Sequence, residues 1–247
     1  MADVLLEGHI SVEAALRGGA RPVHEVLAVN PGDRRLARVR RLAAERDVPI
    51  SRVDADELAA MVEGRSHGGV VAHAGARRYL TVTELLAAAG PSPLIVMLDG
   101  IEDPYNFGAA VRALYAAGIA GLILRPRSWE NAAGLVARAS AGASELLPTA
   151  TAETADDAAA TCREAGLRIA CASSDAGARS IYQADLCEPL FLLIGGERRG
   201  ITRSFRARAD LLLRIPYARS DARPLGVAAA ASVIGFEALR QRTAAGG

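Results

Sequence analysis

The chain lacks lysine entirely: all 29 basic side chains among its 247 residues are arginines. This absence excludes several classes of enzyme. A Walker-type phosphate loop, a protein kinase and a Schiff-base or pyridoxal enzyme each need a lysine amine. Any contact with phosphate must therefore come from a guanidinium group, which is planar and suited to bidentate binding.

Histidine and cysteine are also scarce, with four and three residues respectively. All four histidines precede residue 79, so chemistry further along the chain would use neither a histidine base nor a histidine-bound metal. Cys162, Cys171 and Cys187 form no Cys-x-x-Cys pair and are odd in number. This pattern is typical of reduced, non-zinc cysteines. We therefore expect a cytoplasmic protein without a metal ion.

Long apolar runs and a large net charge are missing as well. No run approaches the ~18 residues that a membrane helix needs, so we expect no membrane span. The net charge is only +1, but residues 1–78, 79–190 and 191–247 carry +1, −6 and +6. The basic C-terminal quarter indicates where an anionic ligand would bind.

Short, alternating helix and strand patterns fill the N-terminal part of the chain. They predict helices over 11–17, 34–46 and 54–62, and strands over 25–29, 49–53 and 69–72. Asp54 and Glu57 have the spacing of a capping box at the start of the third helix. We predict a small α/β domain over 1–74, followed by a linker over 75–93 that ends in Gly-Pro-Ser-Pro.

From residue 94 onward, continuous apolar runs alternate with helical patterns. The predicted strands are 94–98, 121–124, 167–172, 190–194 and 211–215. Strands that are apolar throughout and separated by helices are typical of a parallel sheet covered on both faces. The sequence therefore predicts an α/β domain over 94–247, whose ligands would bind in loops at the carboxyl ends of the strands.

Three of these loops carry polar or glycine residues. The first contains Asn106, placed to cap the next helix, and Arg112, which can reach back from the second turn of that helix. The second reads Gly195-Gly196-Glu197-Arg198-Arg199-Gly200, with glycines that let a ligand approach the backbone. The third runs from Ile215 to Val227 and precedes an alanine-rich helix. Each loop taken alone is equally typical of an ordinary capped helix or a tight turn.

Taken together and in this order, the loops resemble the three motifs of the SpoU (TrmH) family of RNA ribose 2′-O-methyltransferases. The motifs are Asp-Pro-x-Asn-x-Gly-x-x-x-Arg, Ile-Gly-x-Glu-x-x-Gly, and Ile-Pro before an alanine-rich helix, and the resemblance covers about residues 94–242. The N-terminal part resembles, more loosely, the L30-like RNA-binding domain of members that act on ribosomal RNA. That similarity rests on Glu7-Gly8-His9 and Gly69-Val70-Val71-Ala72.

The resemblance implies a parallel-sheet domain with a C-terminal trefoil knot, in which main-chain groups hold S-adenosylmethionine. It also implies a homodimer, with the first and last helices of the domain at its interface. Ribosomal RNA is the expected substrate, and transfer RNA is the alternative. The implied catalytic residues are Asn106, Arg112 and Glu197, and the implied cofactor-binding residues are Gly195, Gly196, Ile215, Pro216, Tyr217 and Leu225.

Five arginines are candidates for contact with RNA. Arg198 and Arg199 lie in the second motif, and Arg34, Arg35 and Arg38 lie off the apolar face of the helix predicted over 34–46. A solvated helix face balanced by nearby acids is an equally good interpretation of the latter three.

The third motif departs from the family. Pro224 and Gly226 stand where the family usually has Ser and Asn around the leucine, and Tyr217 stands where methionine is common. A cofactor held by the backbone tolerates such changes, so we expect S-adenosylmethionine binding. A non-catalytic RNA-binding or assembly protein with the same fold is the alternative. A nucleotide-binding oxidoreductase is disfavoured, because no Gly-x-Gly-x-x-Gly follows the strand at 94–98.

Overall fold

A computed structural model describes residues 4–62, 67–126, 132–175, 177–196, 200–219 and 221–245. The chain forms two compact units. The first contains the described residues up to Arg78 and those from Ala132 to Leu147, and the second contains the others. The first unit is therefore not one continuous range. The division into domains at 1–74 and 94–247, joined by a linker, therefore stays a prediction.

The described elements follow one another in short alternating steps. The strands are β1 (Val4–Glu7), β2 (Val23–Ala28), β3 (Ile50–Arg52), β4 (Val70–Ala74), β5 (Leu94–Asp99), β6 (Gly121–Leu124), β7 (Thr149–Thr151), β8 (Arg168–Ala172), β9 (Arg179–Ser180), β10 (Leu190–Gly195) and β11 (Leu211–Arg214). The helices are α1 (His9–Gly18), α2 (Ala37–Ala44), α3 (Ala55–Ala60), α4 (Val82–Ala88), α5 (Pro104–Ala116), α6 (Ala133–Ala139), α7 (Ala143–Leu146), α8 (Ala155–Glu164), α9 (Arg203–Arg208) and α10 (Val227–Ala245), with a 3-10 turn at Arg34–Leu36 before α2.

The first unit contains a four-stranded sheet in the order β1-β4-β2-β3. β4 pairs antiparallel with β1 and β2, while β2 pairs parallel with β3. Leu36, Val39 and Leu42 are buried, which confirms the predicted amphipathic helix. The predicted capping box at the start of α3 is wrong, because the Asp54 side chain accepts no cap hydrogen bond. Asp56 and Glu57 lie in the first turn instead, where negative charge stabilises a helix.

Helix α7 is held in the first unit by buried ion pairs. The Arg21 guanidinium donates to both carboxylate oxygens of Glu145, at 2.8 and 3.3 Å, and to the Gly75 carbonyl at 3.1 Å. Arg77 donates to the Ser144 and Leu147 carbonyls and also lies 3.6 Å from Glu145. One buried carboxylate therefore forms ion pairs with two buried guanidinium groups.

The second unit contains a seven-stranded sheet in the order β7-β6-β5-β10-β8-β11-β9. Every described pair in this sheet is parallel, as predicted. Residues 94–98 of β5 are at most 5% exposed, so both faces of the sheet are covered. On one face, Ile95 and Met97 share a core cluster with α4 and α8. The short strands β7 and β9 were not predicted.

Helices α5 and α10 pack against each other closely. A Cβ at Gly235 would lie 3.1 Å from the Ala117 Cβ, so a small residue allows this approach. The other end of α10 is held by Gln241, which donates to the Ile181 and Ala184 carbonyls at 3.3 and 3.1 Å. No helix among the described residues is long and apolar enough to cross a membrane.

Candidate active site

The first and second motif loops begin side by side at the carboxyl edge of the large sheet. β5 and β10 are neighbours, and Asp99 at the end of β5 is in register with Gly195 at the end of β10. The Gly196 amide donates to the Asp99 carbonyl at 2.7 Å. A Cβ on Gly196 would overlap the Gly100 carbonyl, so the two loops touch through their backbones.

Helix α5 projects from the first loop and begins with an aspartate cap. Asp103 accepts from the amides of Tyr105 and Asn106, at 3.4 and 3.0 Å, and Pro104 is the first helical residue. The prediction that Asn106 caps this helix is wrong, because Asp103 caps it three residues earlier. Pro104 suits the first helical position, since the N–H that proline lacks would have no hydrogen-bond partner within the helix there. Arg112 consequently lies in the third turn, about 9 Å along the axis from Asn106.

A cleft of about 400 Å³ opens where the first loop meets the start of α10. Val227 is the last residue of the third loop and the first residue of α10. The cleft therefore brings the first motif loop and the end of the third together. Among the predicted site residues, Asn106 lines the described part of the cleft. Arg112 lies on the same helix and is exposed. The lining residues are Gly100, Ile101, Glu102, Asp103, Pro104, Asn106 and Val227.

The third loop is closed by a hydrogen bond between two predicted cofactor-binding residues. The Leu225 amide donates to the Tyr217 hydroxyl at 3.0 Å. Both side chains are about two-fifths exposed, at 40% and 41%. Ile215 and Pro216, at the end of β11, are half-buried. The loop therefore presents apolar side chains beside main-chain polar groups.

Two ion pairs at the same edge of the sheet were not predicted. Arg125 follows β6 directly and holds the Asp99 carboxylate with two hydrogen bonds, of 2.6 and 2.9 Å. Hydrogen bonding to Asp99 raises the pKa of Arg125 above its ordinary value. Arg206 of α9 binds Asp175, which follows β8, at 2.8 and 2.9 Å. Neither pair forms a recognisable motif, since its members are far apart in the sequence.

Two of the three arginines predicted to bind RNA in the first unit form ion pairs with acidic neighbours. Arg35 lies 2.7 Å from Asp33 and Arg38 lies 3.1 Å from Glu13, while Arg34 is exposed. Hydrogen bonding to Arg35 lowers the pKa of Asp33 to about 2, so this carboxyl is ionised at neutral pH. The surface around α2 therefore carries less free positive charge than its arginine count indicates.

Three predicted site residues, Glu197, Arg198 and Arg199, lie outside the described residues. Within the described ranges, no group of three or more histidine, cysteine or acidic side chains is arranged to hold a metal ion. Burial raises the pKa values of Cys162 and Cys171 to about 12 and about 11, so both thiols stay protonated at neutral pH.

Two family models match the chain. Residues 93–236 match the SpoU rRNA Methylase family, and residues 5–80 match a model described as RNA 2′-O ribose methyltransferase substrate binding. The chain is 33% identical over 236 residues to the 23S rRNA (guanosine-2′-O-)-methyltransferase RlmB of Pseudomonas putida, covering 94% of each protein. It is 35% identical to the RlmB of Ralstonia nicotianae, covering 97% of this chain and 96% of that relative.

Solved structures share the fold. The AdoMet-bound rRNA methyltransferase of Sinorhizobium meliloti superposes with a TM-score of 0.80 at 25% identity, covering 96% of this chain and 87% of that one. The AdoMet complex of AviRb from Streptomyces viridochromogenes has a TM-score of 0.77 at 24% identity, covering 98% of this chain and 91% of that one. That second likeness concerns the fold alone.

The chain belongs to the SpoU rRNA Methylase family. The family prediction made from the three loops is confirmed, and with it the predicted class: an RNA 2′-O-ribose methyltransferase that uses S-adenosylmethionine.

The third loop suits this cofactor chemically. Half-exposed Tyr217 and Leu225 offer apolar surface on which an adenine can pack. The main chain at the ends of β10 and β11 offers amides and carbonyls for the polar atoms of a nucleoside and an amino acid. Binding through main-chain groups depends little on side-chain identity, so it is compatible with Pro224 and Gly226 in the altered third motif.

Proposed function

We propose that this protein methylates the ribose 2′-hydroxyl of a guanosine in 23S ribosomal RNA. Two relatives carrying that activity in their names match it over at least 94% of both chains. The observation that carries the proposal at the site is the cleft, where Asn106 of the first motif faces the last residue of the third loop. The C-terminal family model, described as an rRNA methylase, favours ribosomal over transfer RNA as the substrate, and the N-terminal model adds a substrate-binding part.

In this proposal the backbone of the second and third loops holds the cofactor. The residues are Gly195, Gly196, Ile215, Pro216, Tyr217 and Leu225. When bound, S-adenosylmethionine supplies an electrophilic methyl group on a sulfonium. Glycine at 195 and 196 lets the second loop lie close to neighbouring backbone, because a Cβ at 195 would lie 2.9 Å from the Gly200 carbonyl carbon and one at 196 would overlap the Gly100 carbonyl. Tyr217 braces Leu225 through its hydroxyl, which keeps the two ends of the third loop together.

Asn106 and Arg112 act on the RNA. Asn106 orients the attacking hydroxyl through its side-chain amide, from its place in the cleft. Arginine is effectively always protonated, so Arg112 binds the adjacent phosphate and stabilises the negative charge that develops on the oxygen. Positioning of the two reactants supplies a large part of the rate. We assign Glu197 to the same centre, and Arg198 and Arg199 to contacts with RNA phosphates.

We also propose the trefoil knot, the L30-like character of the first unit and a homodimer, each implied by family membership. The dimer is supported by exposed apolar side chains on the paired helices α5 and α10: Tyr115 is 38% exposed and Phe236 is 48% exposed. Ribosomal RNA as substrate implies a cytoplasmic location.

Radiolabel transfer from S-adenosylmethionine to unmodified 23S rRNA tests the function. We expect the wild-type protein to transfer label, and Arg112→Ala to lower the rate by roughly 100-fold or more, because one lost charge contact to a developing oxyanion costs about that much. Calorimetry should give the same affinity for the cofactor in both proteins. The Arg179→Ala variant is the control, since Arg179 is exposed on the edge strand β9 and is not among the described residues that line the cleft.

Wild-type protein that binds rRNA but labels no RNA would favour the alternative, a non-catalytic assembly protein. If Arg112→Ala still transfers label at the wild-type rate, Arg112 is not a catalytic residue, but the proposed methyltransferase function stands.

A further inference from the structure

Several aromatic side chains are exposed among the described residues, and one of them, Tyr105, lies between two residues that line the cleft. Aromatic residues make up 4% of the chain. Tyr105 is 58% exposed, and its two neighbours in sequence, Pro104 and Asn106, both line the cleft. What distinguishes Tyr105 from the other exposed aromatic residues is this place in the first motif loop, between two residues that line the cleft.

The backbone that carries Tyr105 is fixed. The Asp103 carboxylate accepts a hydrogen bond from the Tyr105 amide at 3.4 Å and a second from the Asn106 amide at 3.0 Å. Pro104 removes further freedom at the preceding position. A tyrosine has only two side-chain torsions to immobilise, so it presents a large contact area at low entropic cost.

The chemistry around the ring favours a base over a phosphate. Glu102 and Asp103 line the cleft beside it, and two carboxylates repel phosphate oxygens. Single-stranded RNA is recognised chiefly by stacking of splayed bases on aromatic rings and by hydrogen bonds to base edges. Stacking on tyrosine tolerates any base but requires that one be present.

We propose that Tyr105 stacks on the base of the nucleotide whose ribose is methylated, and so positions that ribose over Asn106. This proposal rests on the proposed function, because it takes the Asn106 cleft as the methylation site. Tyr105 contributes binding energy for the RNA in this role and makes no contact with the cofactor.

The test compares RNA affinities with S-adenosylhomocysteine present, which prevents turnover. The probe is a transcript of the 23S rRNA segment that the wild-type protein labels, and a second probe lacks the base at the methylated nucleotide. We expect Tyr105→Ala to weaken binding of the intact transcript about 5- to 100-fold, and Tyr105→Phe to bind normally. On the abasic probe, wild type and Tyr105→Ala should bind equally.

Tyr182→Ala is the matched control, because Tyr182 is also 58% exposed but follows the edge strand β9, and neither of its sequence neighbours lines the cleft. It should bind both probes as the wild type does, and all variants should share the wild-type melting temperature and cofactor affinity. The proposal is overturned if Tyr105→Ala binds the intact transcript within twofold of wild type, or if its loss persists on the abasic probe. Neither result would affect label transfer by the wild type, so the proposed function is judged separately.

Discussion

Gly196 shows how strictly a single residue is constrained at the edge of the sheet. Its amide donates to the Asp99 carbonyl, and a Cβ at this position would overlap the Gly100 carbonyl. Because the obstructing atom belongs to the backbone of a neighbouring strand's loop, it cannot rotate away as a flexible side chain would. Relief requires the first and second motif loops to separate.

We therefore expect Gly196→Ala to destabilise the protein by about 1–3 kcal/mol and to weaken S-adenosylmethionine binding. Thermal unfolding and calorimetry measure the two effects. Gly177→Ala is the matched control, because a Cβ at Gly177 would meet no atom within 4 Å. Equal stability and cofactor affinity in the two variants would contradict the close approach of these loops.

Sequence reasoning identified the first motif loop but misassigned the role of one of its residues. The order Asp-Pro-x-Asn identified the first loop, yet Asp103 and not Asn106 caps α5. Both residue types are good caps, so propensity alone does not separate them. The Arg125–Asp99 pair could not be predicted, since it joins the ends of two neighbouring strands that only folding brings together.

Among the elements, helix α7 depends on one buried carboxylate. Glu145 is 2% exposed and is held by Arg21, with Arg77 also beside it. Removing one partner from a buried ion pair leaves the other charge without compensation. We therefore expect Glu145→Gln to lower the free energy of unfolding by roughly 3–5 kcal/mol.

Urea denaturation of the full chain measures this loss. Glu57→Gln provides the comparison, because Glu57 is exposed on α3 in the same unit. A change below 1 kcal/mol for Glu145→Gln, similar to that of the control, would mean that this ion pair contributes nothing to stability.

The elements differ in how well the sequence predicts them. The five predicted strands of the parallel sheet agree with the structure within about two residues, because each is a continuous apolar run bounded by polar turns. β7 (Thr-Ala-Thr) and β9 (Arg-Ser) contain no apolar run, and the short apolar run of β1 does not by itself distinguish a strand from a helix. α4 lies in the segment predicted as a linker: its Thr81–Glu84 capping box and the buried Leu85 make it an ordered helix.

Over the whole molecule, the net charge is close to zero, so electrostatic attraction to RNA must come from local clusters of arginine. Arg35 and Arg38 each already face a carboxylate, so an RNA phosphate would compete with Asp33 and Glu13 for them. If these arginines contact RNA, Arg35→Glu combined with Arg38→Glu should weaken binding and reduce the slope of log affinity against log salt by about two.

The opposite change sharpens this test. Asp33→Asn combined with Glu13→Gln frees the same arginines and should strengthen binding at low salt. Filter binding of 23S rRNA across a salt series measures all three proteins. Identical slopes and affinities would indicate a solvated helix face that does not touch the RNA.

The return of residues 132–147 to the first unit has a consequence for synthesis on the ribosome. Domains generally fold as they emerge, N-terminal first. Here Arg21 and Arg77 leave the ribosome well before Glu145, so their buried charges stay uncompensated while the intervening residues are made. At ~5–20 residues per second this delay is about 3–14 s for Arg77 and about 6–25 s for Arg21. The first unit therefore completes its folding only after β5 and β6, two of the seven strands of the large sheet, have been translated, so it cannot finish folding in the order of its synthesis.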